Sequence, residues 1–517
     1  MNVKKTLKNS ILSIISQILI SVLQFANRRI FILFLDIEYL GYQTVFSNVF
    51  SLLSVAELGI GNIISFHLYK ELAEDNREEI GKLMYLYKWM YRAVAGVVLL
   101  AGCICYFFLP VFVKNPSAGW PYLRLIYVLQ LSGVTAGYFL SYKRTVYIAS
   151  QQEYRCIEAD MAVSAVFQVM QLVALALSRS YILYLCLQLC IPAVSNVVIA
   201  RKAGLDYPYL KKRYCISMDD IKRRNIFADA RNFLAHRLAY AVYGGTDNII
   251  LSAACGARMV ALFGNYAVLQ AAVQRILFYR MLNPLQAAIG NIVHGNTAKE
   301  KQWEQFQVLD VFSFFFASYT AAGFYIFLQP VVALWMGEEY LLSDSFVLVY
   351  TVLIYFGAVW EIVYKYRTVF GDYRQDRNCM ILAALLNIAI SVPGALYLGV
   401  TGVTAGSLAA FFPIAYGRIR FVVGSYFHKP VWKYMGRHLM LALAAFGECL
   451  LCRLICDRLP VTIAGLAGRA VIWAAVPAGI NVWMYYKNEN FKKMLAYLRQ
   501  MVSLVLRRKK SGEKEKI

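Results

Sequence analysis

Apolar stretches recur along the chain, and short polar gaps separate them. A helix rises about 1.5 Å per residue, so a hydrocarbon core of roughly 30 Å takes about 20 residues to cross. On that measure the pattern predicts about fourteen membrane spans. They fall near residues 10–34, 42–68, 89–112, 121–141, 159–178, 181–200, 229–252, 260–288, 309–334, 343–364, 379–398, 402–422, 438–457 and 461–486. The expected fold class is an all-α polytopic membrane protein.

Lys and Arg concentrate in alternate gaps. One set holds Lys4, Lys5 and Lys8, then Lys70, Arg77, Lys82, Lys88 and Arg92, then Lys143, Arg144 and Arg155, then the basic stretch 201–228. The same set continues through Lys365, Arg367, Arg374 and Arg377 to the tail at Arg507–Lys510. The intervening gaps hold little more than Lys114, Arg179, Arg258 and Arg458. Cytoplasmic loops of membrane proteins carry the excess of Lys and Arg, so this alternation predicts both termini in the cytoplasm of a cell-membrane protein.

Composition agrees with that topology. Hydrophobic residues make up 60% of the 517, charged residues 16%, and mean hydropathy is +0.52. A soluble chain has no core large enough to hide so much apolar surface. The net charge of +23 does not point to nucleic acid, because it is spread over short loops beside spans, where anionic headgroups attract it. The tail from Phe491 reads either as an amphipathic helix on the inner membrane surface or as a solubilising basic end. The first apolar stretch reads as a span rather than a cleaved leader. Cys449, Cys452 and Cys456 fall in a span with no nearby His, which favours packing over metal ligation. No metal or cofactor is expected.

Two halves are faintly related. Asn265 in "MVALFGNYAVLQAAV" lies 217 positions after Asn48 in "YLGYQTVFSNVFSLL". Pro330 follows Pro110, and Asp247 follows Asn27, each by 220. The expectation is a six-helix lobe at 1–200, a basic linker at 201–228, a second six-helix lobe at 229–425, an accessory helix pair at 430–486 and a basic tail at 487–517. The two lobes are expected to surround a central cavity, as parallel repeats do in many transporters.

Ionisable residues inside spans are costly, about 2.5–3.5 kcal/mol each on insertion scales, so they normally face a partner or a wet cavity. Arg28 and Arg29 fall in the first span, Glu57 in the second, His236, Arg237 and Asp247 in the seventh, and Arg275 and Arg280 in the eighth. Neighbours on a helix cannot point the same way, so Arg28 and Arg29 must have different surroundings. Arg28, Arg29, Arg237, Arg275 and Arg280 are the candidate substrate-binding residues, since a guanidinium fork suits phosphate and a cationic lumen suits an anionic cargo. Glu57 and Asp247 are candidates for ion coupling or for positioning the Arg side chains. The contrary reading makes these Arg and carboxylates structural bridges. No Walker motif occurs, and no loop on the sparsely charged side is long enough for a membrane polymerase or ligase.

The stretch 27–88, with Ala56-Glu57-Leu58-Gly59-Ile60-Gly61 followed by Leu68-Tyr69-Lys70, resembles the start of bacterial polysaccharide flippases. These are the O-antigen and capsule repeat-unit translocases of the multidrug/oligosaccharidyl-lipid/polysaccharide exporter superfamily. Residues 246–270 and "GNIVHGN" at 290–296 resemble the opening of the family's second half. The resemblance implies two six-helix lobes around a cavity, and no enzymatic activity. It implies a flippase that moves undecaprenyl-pyrophosphate-linked oligosaccharide across the cell membrane for surface (capsule or exopolysaccharide) polysaccharide. Its partners would be the lipid-linked oligosaccharide, the bilayer, and polymerase or export machinery. A flippase for another lipid-linked cell-wall precursor, or a drug or cation exporter on the same fold, is the alternative.

Overall fold

The computed structural model describes residues 20–57, 60–150, 152–212, 214, 238–275, 283–295, 297–371, 375–497 and 499. Regular structure among them is helical throughout. Nine helices among the described residues are long and apolar enough to cross a membrane. A tenth appears if Asp344–Val359 and Glu361–Phe370, bent by 45°, form one span. This is the fold of an integral membrane protein. Helices suit hydrocarbon because every backbone hydrogen bond closes within the segment. Their outer faces agree: Leu100 and Phe107 on Arg77–Phe107 are exposed, as are Met440, Leu443 and Leu454 on Val431–Cys456.

Several helices run past the span that hydropathy marks. Arg77–Phe107 starts twelve residues before position 89, because Asn76 caps it by accepting the Glu79 N–H at 3.3 Å. Lys299–Trp335 has 37 residues, or about 55 Å, well beyond a core of about 30 Å. Hydropathy measures membrane thickness, whereas helix ends are set by caps and breakers.

Other predicted spans are broken. The stretch 42–68 forms Glu38–Leu53, a 3-10 turn at Ser54–Glu57, and Ile60–Ala73. Glu57 therefore sits at a break rather than in a continuous helix. The stretch 229–252 is interrupted at Thr246, between helical residues 238–245 and Asp247–Cys255.

The chain forms two compact units, Met1–Gly264 with Ala395–Gly399, and Asn265–Gly394 with Val400–Ile517. In the first, Ile64, Leu68, Leu83, Met84, Tyr87 and Val146 pack together. In the second, the helices Arg377–Leu398 and Val400–Ile419 approach so closely that a Cβ on Gly402 would lie 2.0 Å from the Gly394 carbonyl oxygen. Only glycine permits that contact. The described start of the tail, a helix over 489–497, lays Phe491 and Met494 on Val308 and Val311 of the long helix. Lys493 points outward to Glu304, whose carboxylate holds the ammonium above its ordinary range.

Candidate functional site

Within the first unit, residues 20–34 are helical and place Arg28 against the start of Ala257–Val273. Arg28 Nη2 donates to the Ala261 carbonyl at 2.9 Å. A Cβ on Gly264 would stand 2.8 Å from that nitrogen, so the glycine makes room for the guanidinium. Arg29 is half-buried and turned about 100° further round the helix. Asn27, one residue earlier, is buried and donates to Gln168 Oε1 at 3.3 Å.

Glu57 accepts a hydrogen bond from the Tyr91 hydroxyl, and Tyr91 packs edge-on against Tyr87 at 4.5 Å. Asp247 begins Asp247–Cys255, where the helix dipole favours a carboxylate. In the second unit, half-buried Arg275 turns back on its own helix, its Nε donating to the Ala271 carbonyl at 3.1 Å. Arg237, Arg280 and His236 lie outside the described residues.

Three charged clusters stand out that sequence reading passed over. In the first unit Arg144 makes a bidentate pair with Asp160, at 2.8 and 2.7 Å, while its Nε donates to Asn196 Oδ1 at 2.7 Å. Ser195 adds a hydroxyl between them, 3.1 Å from Arg144 Nη2. The node ties the helix Arg144–Ala149 to Tyr154–Ser178 and Tyr181–Asp206.

In the second unit Asp310 is buried among Tyr434, at 2.5 Å, His438 Nε2, at 3.1 Å, and the Arg437 guanidinium. Arg367 and Asp376 form a fully buried pair, with Arg418 3.6 Å from the same carboxylate.

A third acid, Glu448, is buried on Val431–Cys456 and accepts from Ser318 and, at 3.4 Å, from Asn481. The signal for these residues was available: Asp160, Asp310 and Glu448 are lone acids within apolar stretches, the property by which Glu57 was chosen.

Two cavities open in the second unit. One, of about 440 Å³, is apolar and lies between the long helix and Ile463–Tyr485, lined by Leu269, Phe316, Phe324, Phe327 and Trp473. Trp473 Nε1 donates to the Tyr319 carbonyl at 2.7 Å, which fixes the indole at its rim. The other, of about 250 Å³, is polar, with Arg453, Arg469, Glu338 and Asp457 in its wall. Cys449, Cys452 and Cys456 are buried on one helix face.

No family model and no curated protein matches the sequence. Solved structures do match its fold. The lipid II flippase MurJ in an inward closed conformation superposes with a TM-score of 0.68 at 12% identity, over 93% of this chain and 99% of that one. An inward-facing multidrug resistance MATE family transporter of the MOP superfamily gives 0.56 at 14% identity, over 79% of this chain and 98% of that one. A MATE transporter of Vibrio cholerae gives 0.55 at 12% identity, over 83% and 98%. At these identities the likeness is one of fold.

Proposed function

We propose that the protein is a flippase for prenyl-diphosphate-linked sugars in a bacterial cell membrane, and that its cargo is an undecaprenyl-pyrophosphate oligosaccharide for surface polysaccharide. The observation that carries this reading is coverage. Likeness to the lipid II flippase extends over 93% of the chain, against 79% and 83% for the two MATE transporters. The same likeness favours a second reading, in which the cargo is a peptidoglycan precursor. Both cargoes share a diphosphate and a prenyl chain.

The chemistry of the chain supports such a cargo. Only the polar head of a prenyl-diphosphate sugar needs shelter from hydrocarbon, and a guanidinium in a partly dry span holds diphosphate far more strongly than in water. Arg28, Arg29, Arg237, Arg275 and Arg280 are the proposed cations, with Glu57 and Asp247 positioning them or coupling transport to an ion. The two six-helix lobes at 1–200 and 229–425, the accessory pair and the cytoplasmic termini belong to the same proposal. Reporter fusions after Lys212 and Lys510 are expected to read cytoplasmic; an outward reading at either breaks the topology.

Reconstitution into liposomes with defined lipids tests the function. An undecaprenyl-diphosphate oligosaccharide is expected to reach the far leaflet. Transport of lipid II alone selects the second reading, and transport of neither, with efflux of organic cations, selects a drug exporter. Arg28→Ala is expected to abolish flipping at near-normal abundance, while Arg28→Lys keeps the charge, loses the fork and retains part of the activity. Loss of the protein from the membrane would instead make Arg28 a structural group.

A further inference from the structure

Glu448 occupies an unusual position for an acid. It lies eight residues from the Cys456 end of its helix, about 12 Å along the axis, and its side chain is buried between the long helix and Ile463–Tyr485. Its Oε2 accepts from the Ser318 hydroxyl and from Asn481 Nδ2, which also reaches Ser318 Oγ at 2.9 Å. Among the described residues it has no ion pair with Lys, Arg or His, unlike Asp310. Among the described residues its other oxygen, Oε1, is buried without a hydrogen-bond partner, and so is Asn481 Oδ1.

Among the described residues, the groups facing this carboxyl are neutral. Tyr319 comes from the long helix, Tyr355 from Asp344–Val359, Cys449 and Cys452 from its own helix, and Asn481 from Ile463–Tyr485. An ionised carboxylate here would be a charge among apolar helices, met by two neutral donors on Oε2 and by none on Oε1 among the described residues. A single proton on Oε1 removes the charge and turns that oxygen into a donor. Tyr355 extends the site. Its buried hydroxyl has no hydrogen-bond partner among the described residues.

We propose that Glu448 is a proton-binding site of this protein, and that it couples proton movement to transport. In the described arrangement Glu448 is the neutral acid. Separating Val431–Cys456 from Ser318 and Asn481 changes its surroundings and therefore its hold on the proton, so a proton gradient biases the helix arrangement. The coupling rests on the transporter reading; proton binding itself does not.

Infrared spectra of the reconstituted full chain, recorded across about pH 5 to 9, where buried carboxyls titrate, test the site directly. The expected result is a protonated-carboxyl carbonyl band that shifts in D₂O, disappears as pH rises and is missing from Glu448→Gln. If Glu448→Gln does not accumulate, Asn481→Leu takes its place; stripping a donor from the carboxylate makes the band persist to higher pH. A band lost on adding sodium at fixed pH assigns a metal cation instead, and a band that is absent or ignores pH across the range overturns the site. Flipping in the same liposomes then tests coupling: Glu448→Gln is expected to lose the response to an imposed pH gradient. A retained response overturns the coupling. Absence of any flipping by the wild type, with the band titrating, fails the transporter reading and leaves the proton site standing.

Discussion

Asp310 and Glu448 are buried at one helix interface, the first on the long helix and the second on Val431–Cys456, yet their surroundings are opposite in kind. Asp310 is met by a guanidinium, an imidazole and a phenol from the facing helix. Glu448 is met by a hydroxyl and an amide. A carboxylate with a guanidinium on it is a fixed charge, and removing it strands that cation. A carboxyl with only neutral donors has two stable protonation states, and replacing it with an amide changes little in the packing. Burial alone therefore does not distinguish a structural acid from a switching one; the charge of its neighbours does.

The comparison breaks most easily at Asp310. Asp310→Ala leaves Arg437 without its anion and His438 and Tyr434 without their hydrogen-bond partner, and the expected loss is about 3–5 kcal/mol, the cost of breaking one side of a buried pair. Thermal unfolding in detergent measures it, and a shift no larger than that of an exposed substitution would dissolve the distinction. Ser318→Ala should come next. It removes one neutral donor from Glu448 and a bridge to Asn481, at about 1–2 kcal/mol. Glu448→Gln keeps the shape and fixes the neutral state, so stability should change by less than about 1 kcal/mol while proton response is lost. A large destabilisation there would show that the ionised form is the one the fold requires.

The smallest effect belongs to Lys493. Its ion pair with Glu304 is open to solvent, so Lys493→Ala should leave melting unchanged at high salt. The raised ammonium titrates only at alkaline pH. Its contribution is complete below the unfolded value and fades as pH climbs through the folded one, so neutral-pH melts do not sense it.

Much of the helical layout was legible because a bilayer demands long apolar runs and hydropathy counts them. Helix ends were not. Arg77–Phe107 starts where Asn76 caps it, inside a stretch too polar to score as membrane. The break at Ser54–Glu57 escaped because Leu58, Gly59 and Ile60 look apolar to any averaging window. The same averaging hid Asp160, Asp310 and Glu448, each an acid outweighed by the apolar residues of its predicted span. Arg144 was visible but assigned to a loop; its role follows from three helices meeting at Asp160, Ser195 and Asn196, which no linear spacing records. Of the candidate cations, Arg28 has an interhelical contact and Arg275 a bond to its own helix, a difference set by which neighbours lie within reach rather than by sequence.

The long helix also has a mechanical meaning. From Lys299 to Gln329 it spans 31 positions without a proline, a rod of roughly 46 Å gripped near one end by Phe491 and Met494. A stiff rod magnifies angle into distance: pivoting it by about 10° sweeps the far tip through about 8 Å at this length. A spin label on the 489–497 helix would therefore act as a pointer, reporting on the aqueous side small rotations that begin deep in the lipid.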